Sequence, residues 1–259
     1  MQALLFDIDG VLFSDSGAIS GAADTVRWVR REGIPHLFVS NTVSVSRAEL
    51  LRRLQTLDPS VTGEQLLTPA MALRHWLADQ PAMHLALFVP PTAQAELQDV
   101  ASYREEECRG VVIGDLGPNW SYFHLNHAFR ILMQRPGQML LALGMTRYYD
   151  TDSGLHLDTG PFVKALEYAS GQSAMVFGKP ASSFFQRALA QLNTTAADTL
   201  MVGDDLMTDV MAAQNCGLQG ALVRTGKYRP QDEQGSLKPH FVLDSIADLP
   251  AFWRKQHAA

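Results

Sequence analysis

Only two cysteines, Cys108 and Cys216, occur in 259 residues. That is too few for a disulfide framework, so the sequence predicts reduced thiols in a reducing compartment. Basic residues are not in excess. Lys and Arg number 21 against 27 Asp and Glu, a formal net charge of −6. A phosphate backbone recruits positive surface, so no nucleic-acid partner is expected. No run approaches the ~18 consecutive apolar residues of a membrane span. The first residues also lack the basic segment and the apolar core of about 7–15 residues that mark a secretory signal. The expectation is a soluble, cytoplasmic protein with no membrane partner, in which the sequon Asn193-Thr194-Thr195 occurs by chance. No Gly-x-Gly-x-x-Gly opens a helix, which argues against a dinucleotide site. Gly226-Lys227 does not belong to a phosphate-binding P-loop. Ala221 stands where the first glycine is needed, and Tyr228 where a Ser or Thr is needed.

What is present is an ordinary globular composition, 46% hydrophobic and 19% charged, on a chain long enough for two unequal domains. Short β-rich runs alternate with helical patterns. "ALLFD" precedes "AADTVRWVRREG", in which Val26 and Val29 share a face and Gly33 can end the helix. "IPHLFVSN" is the next strand. Ser46-Arg47-Ala48-Glu49 fits a capping box, and Leu50, Leu54 and Leu57 form one stripe. The rhythm returns near the C-terminus with "MVFGK", the helix "PASSFFQRALAQL", the strand "DTLMVGDD", the helix "DVMAAQNCG", and the short strands "GALV" and "HFVL". This alternation predicts a doubly wound parallel α/β core, with residues 1–79 and 173–259 forming one discontinuous domain. Residues 80–172 carry their own apolar runs, including "HLALFVPP", "GVVIGD" and "MLLALG". They predict a smaller inserted α/β domain.

The chemistry is expected where strands end. Side chains two apart on a strand share a face, so Asp7 and Asp9 in "LLFDIDGVLF" converge if the strand runs through both. Their repulsion calls for a cation, unless the pair lies in a solvated turn. A calcium loop is excluded, because Val11 and Leu12 stand where it needs an oxygen ligand and a glycine. Ser40-Asn41-Thr42 follows "HLFV", Gly178-Lys179-Pro180 follows "MVF", and Asp204-Asp205, with Asp209 nearby, follow "LMVG". In an open parallel sheet such groups meet in the crevice beyond the carboxyl ends of the strands. His124 and His127 have metal-like spacing but no companion cluster, and read as a helical pair.

"DIDGV", "SNT", "GKP" and "GDDLMTD" occur in the order of the four motifs of the haloacid dehalogenase-like hydrolases, with about 140 residues between the second and third. The chain resembles the class with a large C2-type cap, similar to NagD-like phosphatases. The stretches "VRTGKYRPQDE" and "RYYDTDSGLHLDTGPFVKALEYASG" resemble a narrower branch. That branch includes the phospholysine phosphohistidine inorganic pyrophosphate phosphatases and relatives named as haloacid dehalogenase-like hydrolase domain-containing proteins.

The resemblance implies a Mg²⁺-dependent phosphatase acting on small phosphorylated metabolites, through esters, P–N bonds or pyrophosphate. It makes Asp7 the nucleophile, giving an aspartyl-phosphate, and Asp9 the acid and base. Mg²⁺ would be held by the Asp7 carboxylate, the Asp9 main-chain carbonyl and the Asp204 carboxylate, with Asp205 and Asp209 orienting ligands. Ser40, Asn41 and Lys179 would bind the phosphate. Gly10 would permit a tight turn, and Thr42 would steady the Ser40-Asn41 turn. The inserted domain would close over the core as a cap, with Asp158 to Gly160 facing the cleft. Branch relatives often carry Lys where Met145 stands, so their substrate preferences are not carried over to this chain as an expectation. Phosphotransfer or mutase chemistry, a non-hydrolytic phospho-receiver and a binding protein stay open as alternatives. A homodimer is an expectation that no residue specifies.

Overall fold

The computed structural model describes residues 1–151 and 154–258. The chain divides into two compact units. The first comprises 1–40, 47–67 and 179–259, and the second 41–46 and 68–178. The second therefore exceeds the expected insertion of 80–172. It takes in the helix Pro69–Ala78, which starts at the cap Thr68, whose Oγ1 accepts from the Met71 N–H.

The first unit is built on a six-stranded sheet. Its order is Phe241–Leu243, Gln219–Val223, Thr199–Gly203, Ala3–Asp7, His36–Val39, Leu66–Leu67. Every pairing is parallel. Strands buried on both faces need no polar alternation, and Ala3–Asp7 is buried throughout. Phe6 and Phe38 stack at 5.8 Å between ring centroids and are wholly buried. Burial of each such ring contributes about 1.5–3 kcal/mol. The predicted helices stand at Ala22–Arg31, with Val26 and Val29 buried, and Arg47–Leu57, with Leu50, Leu54 and Leu57 buried. Strand order reverses at Ala3–Asp7, where later strands lie on one side and earlier ones on the other. That is the switch point at which such sheets open a crevice. Register then sets the site. Asp7 pairs with Val39, so Ser40 comes one residue further on. Phe6 pairs with Val202, which brings Asp7 beside the Gly203-Asp204 end.

The second unit holds a four-stranded parallel sheet in the order Met175–Val176, Met139–Ala142, Cys108–Ile113, His84–Phe88. Its core joins Val111, Ile113 and Leu140 to Ile131, Leu132, Val163 and Leu166 of two helices. Two readings are corrected here. The run "MVF" is no strand of the first sheet. Met175 and Val176 pair with Leu141 and Ala142 at the edge of the second, before the chain reaches Lys179. The stretch "DVMAAQNCG" is not one helix either. A wide π-helical turn spans Leu206–Met211, and only Ala212–Asn215 is α-helical. No helix among the described residues is long and apolar enough to cross a membrane.

Candidate active site

Asp7 is the last residue of its strand and is only 8% exposed. Beyond it the chain turns at once. Gly10 has φ +85°, and its N–H donates to the Phe13 carbonyl at 2.6 Å. A Cβ at Gly10 would fall into the Asp204 carboxylate and within 3.1 Å of Gly226 Cα. Only glycine fits this close approach. The expected convergence of Asp7 and Asp9 is therefore not observed. The strand stops at Asp7, and the Asp9 side chain is 51% exposed and accepts from Arg53 Nη2 at 3.0 Å.

The partners of Asp7 come from distant parts of the chain. Lys179 Nζ lies 2.5 Å from Asp7 Oδ1 and 2.7 Å from Asp209 Oδ1, with all three side chains nearly buried. Oxygens of Asp7, Asp204 and Asp209 lie within 4.8 Å of one another. The π-helical turn places Asp209 there. Asp205 starts the turn by accepting from the N–H groups of Met207 and Thr208 at 2.9 Å. Asp209 then swings back beneath Gly203, where a Cβ would come within 2.7 Å of its Oδ2. Inserted π turns of this kind recur at functional sites.

Charge balance follows from this geometry. Burial pushes the Asp7 carboxyl well up, helped by Asp209 and Asp204 and opposed by Lys179. Burial, with Asp209 second, raises Asp204 to about 6, while the Lys227 backbone N–H opposes the rise. Burial alone would pull Lys179 down, but Asp209 and Asp7 outweigh it and hold the ammonium charged. One lysine thus faces three carboxylates. Asp204 Oδ2 accepts from the Lys227 N–H at 2.8 Å, while its Oδ1 is buried with no hydrogen-bond partner. An orphaned carboxylate oxygen in an all-oxygen donor set fits a hard dication such as Mg²⁺.

Ser40 is buried at the end of its strand, where its N–H donates to the Leu67 carbonyl at 3.2 Å. Asn41 opens the second unit, and a Cβ at Gly178 of that unit would stand 3.0 Å from its Oδ1. Asp158 caps the helix Thr159–Ser170, accepting from the Thr159 N–H at 2.5 Å, and the Gly160 N–H donates to the Thr146 carbonyl at 2.9 Å. These contacts give both residues a part in starting that helix. Asp152 and Ser153 of the same polar stretch lie outside the described residues. Met145 packs against the second unit's core. His127 pairs with Glu105 at 3.0 Å, and His124 with Ser121 at 2.9 Å. Among the described residues, Asp7, Asp204 and Asp209 are the group suited to a metal.

Sequence reasoning missed the stretch after Gln219–Val223. Besides the Lys227 N–H, Thr225 Oγ1 donates to the Gly10 carbonyl at 2.5 Å. The signal was available. "GALV" is a parallel strand, and the polar Thr-Gly-Lys beyond its carboxyl end borders the same crevice. Arg53 was missed for another reason, because a helix surface carries no mark of what its arginine reaches.

Comparison with known proteins bears directly on this arrangement. The family described as haloacid dehalogenase-like hydrolase matches residues 4–101, and that described as HAD-hydrolase-like matches residues 176–249. Phospholysine phosphohistidine inorganic pyrophosphate phosphatase from Homo sapiens is 38% identical over 254 residues, covering 96% of this chain and 92% of that protein. The chain belongs to the haloacid dehalogenase-like hydrolases. It is a hydrolase. Among solved structures, p-nitrophenyl phosphatase from Archaeoglobus fulgidus matches with a TM-score of 0.88 and 25% identity, over 97% of this chain and 98% of that one. A glycerol phosphate phosphatase from Mycobacterium tuberculosis, solved in complex with magnesium, matches with a TM-score of 0.80 and 29% identity, over 96% of this chain and 76% of that one.

Proposed function

We propose that this hydrolase is a Mg²⁺-dependent phosphatase that takes small phosphorylated metabolites through an aspartyl-phosphate on Asp7. The observation that carries the reading is the ammonium of Lys179 held 2.5 Å from Asp7, beside two further buried carboxylates. An Asp7 oxygen attacks phosphorus as the bond to the leaving oxygen breaks. Asp9 supplies the proton that oxygen takes up. In the second half, Asp9 removes a proton from water, which attacks the same phosphorus. The bond to Asp7 then breaks, releasing inorganic phosphate. Lys179 neutralises charge on Asp7 and the phosphoryl oxygens, and Ser40 and Asn41 donate to those oxygens. Asp7, Asp204 and the Asp9 main-chain carbonyl would hold Mg²⁺, with Asp209 fixing Lys179 from behind. When bound, the ion supplies positive charge against the phosphoryl oxygens and the crowded carboxylates.

In this reading the second unit takes the part of the cap and decides substrate choice. Both cysteines are free thiols, which suits a cytoplasmic location. The test is a panel of phosphomonoesters, pyrophosphate and phosphoramidates, assayed with Mg²⁺ and with EDTA. The reading expects Mg²⁺-dependent phosphate release from at least one class. No release from any of them would refute it.

The raised carboxyl of Asp204 makes a separate prediction. A carboxyl whose folded value lies near 6, above an ordinary 3.8, keeps a proton in the folded state that the unfolded chain has lost. Metal-free stability therefore falls as pH rises from about 4 to 6, by about 3 kcal/mol from this group. Mg²⁺ offsets that loss, and it binds more weakly where the acids are protonated. The rise in Tm produced by saturating Mg²⁺ should be several degrees larger at pH 7 than at pH 5. An equal rise at both would contradict the charge balance described.

A further inference from the structure

Asp9 does its proposed work from an exposed position, and the structure shows what holds it there. The loop from Ile8 to Phe13 closes on itself. Gly10 N–H donates to the Phe13 carbonyl at 2.6 Å, and Phe13 N–H donates to the Ile8 carbonyl at 3.1 Å. The Phe13 ring is 6% exposed, and the Arg53 guanidinium lies 4.7 Å from its centroid. From that seat Arg53 Nη2 donates to Asp9 Oδ1 at 3.0 Å. Arg53 itself stands on the helix Arg47–Leu57, whose Leu50, Leu54 and Leu57 are fixed in the core. The guanidinium is thus placed from both ends, by a rigid helix and by a ring tied to the same loop as Asp9.

We propose that Arg53 is the positioning residue for Asp9, fixing the orientation of its carboxylate, with Phe13 as the platform. The proposal rests on the reading of Asp9 as the acid and base. A half-exposed carboxylate without an anchor samples several rotamers, and proton transfer is effective only within hydrogen-bond reach. A planar guanidinium stacked on a ring restricts a carboxylate far better than a mobile ammonium does. An ordinary surface ion pair has the same distance but acts on nothing beyond itself.

The test is a double-mutant cycle in the Mg²⁺-loaded full chain with p-nitrophenyl phosphate. Arg53→Met should lower kcat about 10- to 100-fold while KM stays within about 3-fold. Asp9→Asn should lower kcat about 100-fold or more. Adding Arg53→Met to Asp9→Asn should cost less than about 3-fold further, because the arginine acts only through Asp9. Arg53→Lys, which keeps the charge, should recover part of the loss and guards against a folding artefact in Arg53→Met. If Arg53→Met loses as much in the Asp9→Asn background as alone, Arg53 acts on substrate or fold and the proposal fails. An unchanged kcat in Arg53→Met also overturns it. Full kcat in Asp9→Asn alone removes the acid-and-base reading, and the proposal falls with it.

Discussion

Asp7→Asn should abolish turnover, by about 10⁴-fold or more, while leaving the protein folded. An amide cannot form the acyl-phosphate, and loss of a nucleophile removes most of the catalysis that such a site supplies. The folding expectation comes from the same environment. Burial and the neighbouring acids already disfavour the Asp7 charge, so a neutral isostere relieves repulsion in the metal-free protein. Lys179 keeps Asp209 as its partner at 2.7 Å. In EDTA the Asp7→Asn melting temperature should lie within a few degrees of the parent or above it. In Mg²⁺ the variant should gain less than the parent, since one of the three clustered carboxylates has gone. Retained activity would refute the nucleophile assignment. A collapse of the fold in EDTA would refute the electrostatic account.

Lys179→Met should do the reverse to stability. It removes a cation buried beside the Asp7 and Asp209 carboxylates, and truncating one side of a buried charge pair costs about 3–5 kcal/mol. Activity should fall about 10²- to 10³-fold, the scale for losing a preorganised charge at the reacting phosphoryl group. The diagnostic is pH. Burial already raises the Asp7 and Asp204 carboxyls, and acidification protonates them, so the variant's deficit in Tm, measured in EDTA, should shrink between pH 7 and pH 5. A deficit that does not depend on pH would mean that Lys179 acts by packing rather than by charge.

What the sequence could and could not convey divides along physical lines. Asp7 and Asp204 were legible because each ends an apolar run, and a parallel strand buried on both faces announces itself by that run. Lys179 was legible through its motif, but its strand was not. A two-residue strand such as Met175–Val176 carries too little periodicity to say which sheet it joins. The helix Pro69–Ala78 shows the same limit, since residues 1–79 were expected to belong together and nothing local in 69–78 says that this helix goes with the second unit. Asp209 was expected to orient ligands, and its entry into the carboxylate cluster depends on a π-helical turn that no local pattern encodes. The separation of Asp9 from Asp7 follows from a strand that ends one pleat early. Alternation along the sequence cannot reveal such a stop, although Gly10 marks the turn that causes it.

The claim at the centre is that phosphoryl groups pass through Asp7 in a site balanced by Mg²⁺. It is tested most directly by acid-quenching the protein during turnover of a labelled substrate and mapping the labelled peptide. The account predicts label on Asp7, formed with Mg²⁺, absent with EDTA, and released by hydroxylamine as expected of an acyl-phosphate. Turnover with no protein-bound phosphoryl group, or with the label on any other residue, would contradict it.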